Sequence, residues 1–401
     1  MEGYDYDAVE IEDITTDVVN RNILRRLKGN DPELVELVVC KRGDVRGGSY
    51  CCPRDARDFG WLGYFIGKST NLRELHLRTN LCQGSYIYAI DSFVRGVNSN
   101  RSIQKISFGC MNLMGGEIFQ SLSPFFENNN NISEIEVWSC PFGVGCVRQF
   151  SSALRSCNKF KSLKTVKLSG NRMGGEQSTE VIEALSTHPQ LEKLELWSMS
   201  IGRNECAALA NVLNSTMTAL QEINLYNNNI DDEGVEASVR AVTNNSSLRS
   251  LNLSSNRNIT TRGYQSLASL LENSNSNLEK LYLNNNNIDD GGALIFANAL
   301  VNNSKLKILV LNENSVTAEG YSSFSKVLCD ASSINNTFLS NHTLEILGGS
   351  PNTPTDVASL LISNISSDDK RQVAIKKILK HHRHFDMQPF FEWDLKVLPI
   401  A

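Results

Sequence analysis

Apolar positions recur along this chain in one short frame. In "LEKLYLNNNNI" they fall at Leu278, Leu281, Leu283 and Ile288, with Asn286 between the last two. The frame returns from Leu72 ("LRELHLRTNLC"), Ile132 ("ISEIEVWSCPF"), Leu163, Leu191, Leu220, Leu248 and Leu306, and more weakly from Leu34, Ile103 and Ile334. After a first gap of 38 residues the starts lie 28 to 31 apart. Alternation in "LYL" puts Leu281 and Leu283 on one face of a short strand and Tyr282 on the other. Ala293, Phe296, Ala297 and Leu300 then follow at i, i+3, i+4 and i+7, one apolar helical face. Each unit reads as strand, turn, helix and return. One unit cannot enclose its own leucines, so stacked units must share a core.

The frame LxxLxLxxN/CxL resembles the leucine-rich repeat family over roughly Leu34 to Leu344. Repeat length and helical second halves such as "RNECAALANVLNST" are similar to the ribonuclease-inhibitor-like subtype, which also occurs in Ran GTPase-activating proteins and in the sensor ends of NOD-like receptors. The resemblance implies an α/β solenoid, a horseshoe with a parallel β-sheet on its concave face and helices on its convex face. Residues 1–33 then form an N-terminal helical cap, with a Thr cap and an apolar set at Val18, Ile23, Leu24 and Leu27. Residues 34–345 hold about eleven repeats, interrupted by a polar loop at 41–58. Residues 346–401 form a C-terminal helical cap or tail. Helices are expected there over Thr355–Ser363 and Asp369–His381, the second carrying Val373, Ile375, Ile378 and Leu379. The closing "PFFEWDLKVLPIA" reads as part of the cap or as a docking tail.

The Asn of the frame has a mechanical role. Stacked turns leave backbone N–H and C=O groups that need partners inside the protein, and a buried amide can serve them. Asn80, Asn171, Asn228, Asn256, Asn286 and Asn314 occupy that position. Met111, Cys140, Met199 and His342 replace it elsewhere, and the methionine turns are expected to be less well satisfied. Sequons such as Asn252-Leu253-Ser254 arise by chance in so Asn- and Ser-rich a repeat.

Composition narrows the function. With 39 Lys+Arg against 44 Asp+Glu the net charge is -5, which makes no case for nucleic acid or an anionic membrane. The acidic start "MEGYDYDAVEIEDI" is no secretory signal, and no apolar run reaches 18 residues. A cytoplasmic location is expected, with the nucleus left open. Ten cysteines without a CxxC pair are read mainly as buried thiols. Cys51 and Cys52 are read as neutral loop thiols, or else as an exposed redox-sensitive pair. "GYFIGKST" lacks the spacing of a phosphate-binding loop, and "HHRH" (His381, His382, His384) reads as a basic helix end rather than a metal site. No nucleophile and base pair can be nominated. No enzyme activity, cofactor, metal or small-molecule substrate is expected.

Strand residues between the leucines should face the concave side, three per repeat. One column reads Arg78, Gly109, Trp138, Ser169, Trp197, Tyr226 and Ser254, so two tryptophans and a tyrosine should gather around Ser169. Glu136, Lys167 and Glu195 form the next column, and Glu134, Thr165, Lys193 and Glu222 the third. Rigid aromatics among mixed charges suggest a hot spot for a protein or peptide partner; the alternative is that the rings only cover strand backbone. The expected function is a non-catalytic interaction scaffold. The rival readings are a small-GTPase regulator like the Ran activators, whose strongly acidic tail has no match in residues 370–401, and a receptor sensor, whose nucleotide domain is not legible here.

Overall fold

The computed structural model describes residues 8–383 except 42, 44–47, 79–86, 114–115, 157–161, 172, 174, 216–218, 244 and 349–350. Asn80, His384 and the aromatic segment at 389–401 therefore lie outside the described residues. The chain forms two compact units, residues 1–256 and 257–401.

In the first unit, helices α1 (Ile11–Ile14) and α2 (Val18–Lys28) precede β1 (Glu36–Cys40) and β2 (Tyr50–Cys51). Strand and helix then alternate: α3 (Ala56–Lys68), β3 (Glu74–Arg78), α4 (Ile87–Ser99), β4 (Lys105–Gly109), α5 (Glu117–Ser121) and α6 (Ser123–Asn128). The pattern continues with β5 (Glu134–Trp138), α7 (Val144–Ser156), β6 (Thr165–Ser169), α8 (Gly175–Leu185) and β7 (Lys193–Glu195), then α9 (Arg203–Ser215), β8 (Glu222–Asn224), α10 (Asp232–Thr243) and β9 (Ser250–Asn252). These strands are parallel and follow the chain in order, except that β2 lies outside β1 at the edge. The fold is an α/β solenoid. Its inward apolar strand residues, such as Leu75, Ile106, Val137, Leu168, Leu194 and Ile223, are at most 3% exposed. Helix side chains complete the core: Phe119 of α5 stands 5.0 Å from Phe108 and 4.9 Å from Phe150 of α7, ring centre to ring centre.

The cap and insert differ from expectation in detail. The N-cap of α2 is Asp17, whose carboxylate accepts from the Val19 and Asn20 amides, and Val18 is exposed. The insert is not wholly a polar loop, since Tyr50–Cys51 pairs with Val38–Val39. Asn20, buried on α2, explains the pairing: its side chain donates to the Cys52 carbonyl and accepts from the Cys52 amide, both at 2.9 Å. Cys51 and Cys52 are thereby buried, and burial pushes the Cys51 thiol well up.

The second unit holds α11 (Thr261–Glu272), β10 (Lys280–Tyr282), α12 (Asp290–Ala299), β11 (Ile308–Val310), α13 (Ala318–Leu328), α14 (Ile334–Leu339), α15 (Thr355–Ile365) and α16 (Lys370–His381). Strands β10 and β11 are parallel. The copy expected at Ile334 is helix α14. The next strand position is instead Ile346, bridged to Ile308, so the frame restarts at Leu344 and His342 is not a turn position. On α16 the buried side is Val373, Ala374, Lys377 and Ile378, while Ile375 and Leu379 are exposed. Lys377 can replace an apolar residue there because its ammonium is satisfied, donating at 2.7 Å to the Leu328 carbonyl that ends α13 and to Asn364 Oδ1. His382 is buried too, with Nε2 2.8 Å from Thr337 Oγ1, so it belongs to the fold rather than to a free basic end.

Candidate functional site

The turns that carry the strand ends share one device. In the first unit Cys110, Ser139, Gly170, Ser198, Asn227 and Ser255 are all left-handed, with φ from 52° to 63°. In the second, Asn285 and Glu313 do the same. Immediately after each comes the ladder position. Asn228 Oδ1 accepts from Met199 N and Ile201 N at 2.9 and 3.1 Å, and its amide donates to the Leu196 and Leu225 carbonyls at 2.8 and 3.0 Å. Asn171, Asn256, Asn286 and Asn314 are bonded to turn backbone in the same way. Each Asn thus serves the turn of the repeat before it. The turn containing Met199 is satisfied by Asn228; what Met199 fails to serve is the Asn171 turn, where the Asn171 and Met173 amides find no partner among the described residues.

A second ladder, unseen in the sequence, holds the opposite end of each repeat. Asn100 donates to the Ile66 and Ser69 carbonyls and accepts from Ser102 N and Ile103 N. Asn129 and Asn245 take the same place in the first unit, and Asn303 and Asn341 in the second. His188 substitutes with Nε2 2.8 Å from the Leu154 carbonyl. The signal was present: each stands three residues before the first apolar residue of its frame.

Both ladders tie down the backbone at the strand ends, and the helix-free face of the first unit presents the expected columns. Trp138 is in register with Gly109 on one side and Ser169 on the other, and Glu136 with Lys167 and Lys167 with Glu195. The charges are paired with one another. Lys105 Nζ lies 3.2 Å from Glu134, which also receives Lys167 Nζ at 2.7 Å, and Lys193 Nζ lies 3.1 Å from Glu195 and 3.0 Å from Glu222. Burial would lower the Lys105 ammonium, but Glu134, Glu136 and Glu74 outweigh it and raise it. Burial likewise opposes ionisation of Glu134, and the bond from Lys167 with the charge of Lys105 still holds it below the usual carboxylate range. Lys105 and Glu134 are the central members of this network, and they are set on adjacent strands in direct register.

The aromatics do not gather around Ser169. Trp138 lies across Gly109, where a Cβ would overlap the indole, and Arg78 stands 5.6 Å from the ring centre on that side. Gly109 makes the room, so Trp138 turns toward β4 and away from β6. Trp197 pairs instead with Tyr226, ring centres 6.4 Å apart. These two rings are 36% and 39% exposed, which sets them apart from the buried Phe cluster beneath the sheet. Beside them Gly170, Ser198, Ser200, Asn227 and Asn229 line a polar notch of about 420 Å³.

Comparison with known proteins agrees with this architecture. The leucine-rich repeat family model matches residues 216–237, 244–268 and 274–297. The ribonuclease inhibitor of Sus scrofa is 27% identical over 206 residues, 51% of this chain and 44% of that protein. The chain is a leucine-rich repeat protein of the ribonuclease-inhibitor-like type. This leucine-rich repeat chain is also similar to NACHT, LRR and PYD domains-containing protein 5 of Mus musculus, at 26% identity over 247 residues, 60% of the chain and 20% of that protein. It thus aligns with less than half the length of either relative. Among solved structures, an internalin from Listeria monocytogenes aligns over 79% of this chain and 95% of its own, at 16% identity and a TM-score of 0.36. Among the described residues no helix is long and apolar enough to cross a membrane, and no group of His, Cys, Asp and Glu side chains is placed to hold a metal ion.

Proposed function

We propose that this chain is a non-catalytic interaction scaffold that holds a protein or peptide partner on the concave, helix-free face of its sheet. The observation that carries the reading is the exposed Trp197–Tyr226 pair, set in the turns that follow β7 and β8. Large aromatics with few rotatable bonds give most contact for least ordering cost, which is why they dominate interface hot spots. Trp138 with Arg78 offers a second anchor, Trp138 standing on β5, two strands from β7. Glu136, Lys167, Lys193, Glu195 and Glu222 form the rim. Because these charges already neutralise one another, the face has little pull on a polyanion, and a nucleic-acid partner is disfavoured.

The similarity to the NACHT, LRR and PYD protein supports a second reading, in which this chain is a sensor-type repeat region. Either way the partner meets the strand face. The test is a pull-down with the chain as bait, comparing wild type with Trp138→Ala/Trp197→Ala. Partners retained by wild type and lost by the double variant support the reading; retention by both overturns it. Stimulated hydrolysis of GTP by a small GTPase would favour the regulator reading instead.

A further inference from the structure

The segment "GYFIGKST", which has no phosphate-loop spacing, has a structural use that leads elsewhere. Gly60, Gly63 and Gly67 lie on one face of α3. Gly63 meets Gly96 of α4 backbone to backbone, since a Cβ on Gly96 would overlap the Gly63 carbonyl. Helices that approach so closely leave a groove of about 630 Å³ along their seam. Its small lining residues are Gly60, Gly67, Gly96, Ser92 and Ser99. Trp61 and Tyr64 contribute rings set edge to face at 5.8 Å. The charged lining is Arg57, Lys68 and Arg95, with no carboxylate among the lining residues.

The two arginines are held by backbone carbonyls. Arg57 donates to the Asp13 backbone carbonyl at 2.6 Å and Arg95 to the Asp91 backbone carbonyl at 3.1 Å, and Lys68 stands 4.8 Å from the Tyr64 ring centre. Neither arginine has an ion pair among the described residues. Three positive groups in a chain of net charge -5 form a local patch against the overall sign. Arg57 and Lys68 are eleven helical residues apart, about 16 Å, the length of about five extended residues. A single small anion does not span that distance. Gly60, where an added Cβ would meet only Ser92 at 3.6 Å, leaves room at one end of the seam, and guanidinium groups suit carboxylates.

We propose that this α3/α4 groove binds a short acidic peptide segment, with its carboxylates on Arg57 and Arg95 and an aromatic side chain against Trp61 and Tyr64. The groove lies apart from the Trp197–Tyr226 pair and does not depend on it. The probe is a fluorescein-labelled Glu-Glu-Trp-Glu-Glu peptide titrated with the full chain, read by fluorescence polarisation at 50 and 300 mM salt. Saturable binding is expected, weaker at high salt. Arg57→Glu/Arg95→Glu should weaken it at least tenfold without changing the melting temperature. Gly60→Leu, which fills the seam and leaves the charges, should weaken it as well, whereas Trp197→Ala should bind as wild type. The proposal is overturned if the peptide does not saturate, if a Lys-Lys-Trp-Lys-Lys peptide binds equally, or if the charge-reversed chain binds as wild type. It is also overturned if an oligothymidylate of the same length binds more tightly.

Discussion

The indole of Trp138 lies across Gly109 of the neighbouring strand, on the side away from Trp197. Gly109→Ala would drive a methyl into that ring, and the indole must lift. Overpacking of this kind costs about 1 to 3 kcal/mol. Urea unfolding should show that loss, with Trp emission shifted to longer wavelength as the ring enters water. An unchanged midpoint and spectrum would mean that the ring does not rest on the glycine.

The Gly63–Gly96 contact makes a sharper claim of the same kind. Here backbone meets backbone, so no side chain can yield to an added methyl. Gly96→Ala should cost more than Gly109→Ala, about 3 kcal/mol, read as a drop in the unfolding midpoint.

In the run Asn284 to Asn287 the last three residues have different surroundings. Asn285 takes the left-handed turn, where Asn is among the best tolerated residues after Gly. Asn286 is buried and donates to the Leu283 carbonyl at 3.2 Å, while Asn287 is exposed and donates to the Arg257 carbonyl. Asn286→Ala should cost on the order of 1 to 3 kcal/mol. Asn287→Ala should stay within about 0.5 kcal/mol. Melting curves of the two variants make the comparison, and equal losses would contradict it.

The ladder gap at Met199 predicts a local opening. Amide exchange at Asn171 and Met173 should be faster than at Met199 and Ile201, which Asn228 holds. Residue-resolved hydrogen exchange settles it, and equal protection would show that the Asn171 turn is satisfied.

His342 gives the second unit a dependence on pH. Burial, with Lys377 nearby, lowers its imidazole from 6.5 to about 4. The folded state therefore resists a proton that the unfolded chain accepts. Stability from this residue is complete above pH 6.5 and is lost as pH falls toward 4. The gap corresponds to at most about 3 kcal/mol. His342→Gln should flatten the fall in melting temperature between pH 6.5 and 4; the same slope in both proteins would contradict the assignment.

The periodic part of this fold was legible because each leucine of the frame does the same job in every repeat. Register and the ladder role of Asn228 both follow from that. The departures are places where a side chain answers to one neighbour rather than to the period. The turn of Trp138 depends on a missing Cβ one strand away. Strand β2 depends on Asn20, 30 residues earlier. The buried side of α16 includes Lys377, which no apolar pattern would select, and only the carbonyl of Leu328 explains it. Asn341, three residues before Leu344, marked the true final copy by the second ladder, against the apolar look of Ile334.

The central claim is that the exposed Trp197–Tyr226 pair anchors a partner. Its most direct test is the affinity of a purified partner for wild type and for Trp197→Ala, measured by calorimetry with matched melting temperatures. A hot-spot aromatic should cost at least about 2 kcal/mol, roughly thirtyfold in Kd. A Kd within twofold of wild type would contradict the account.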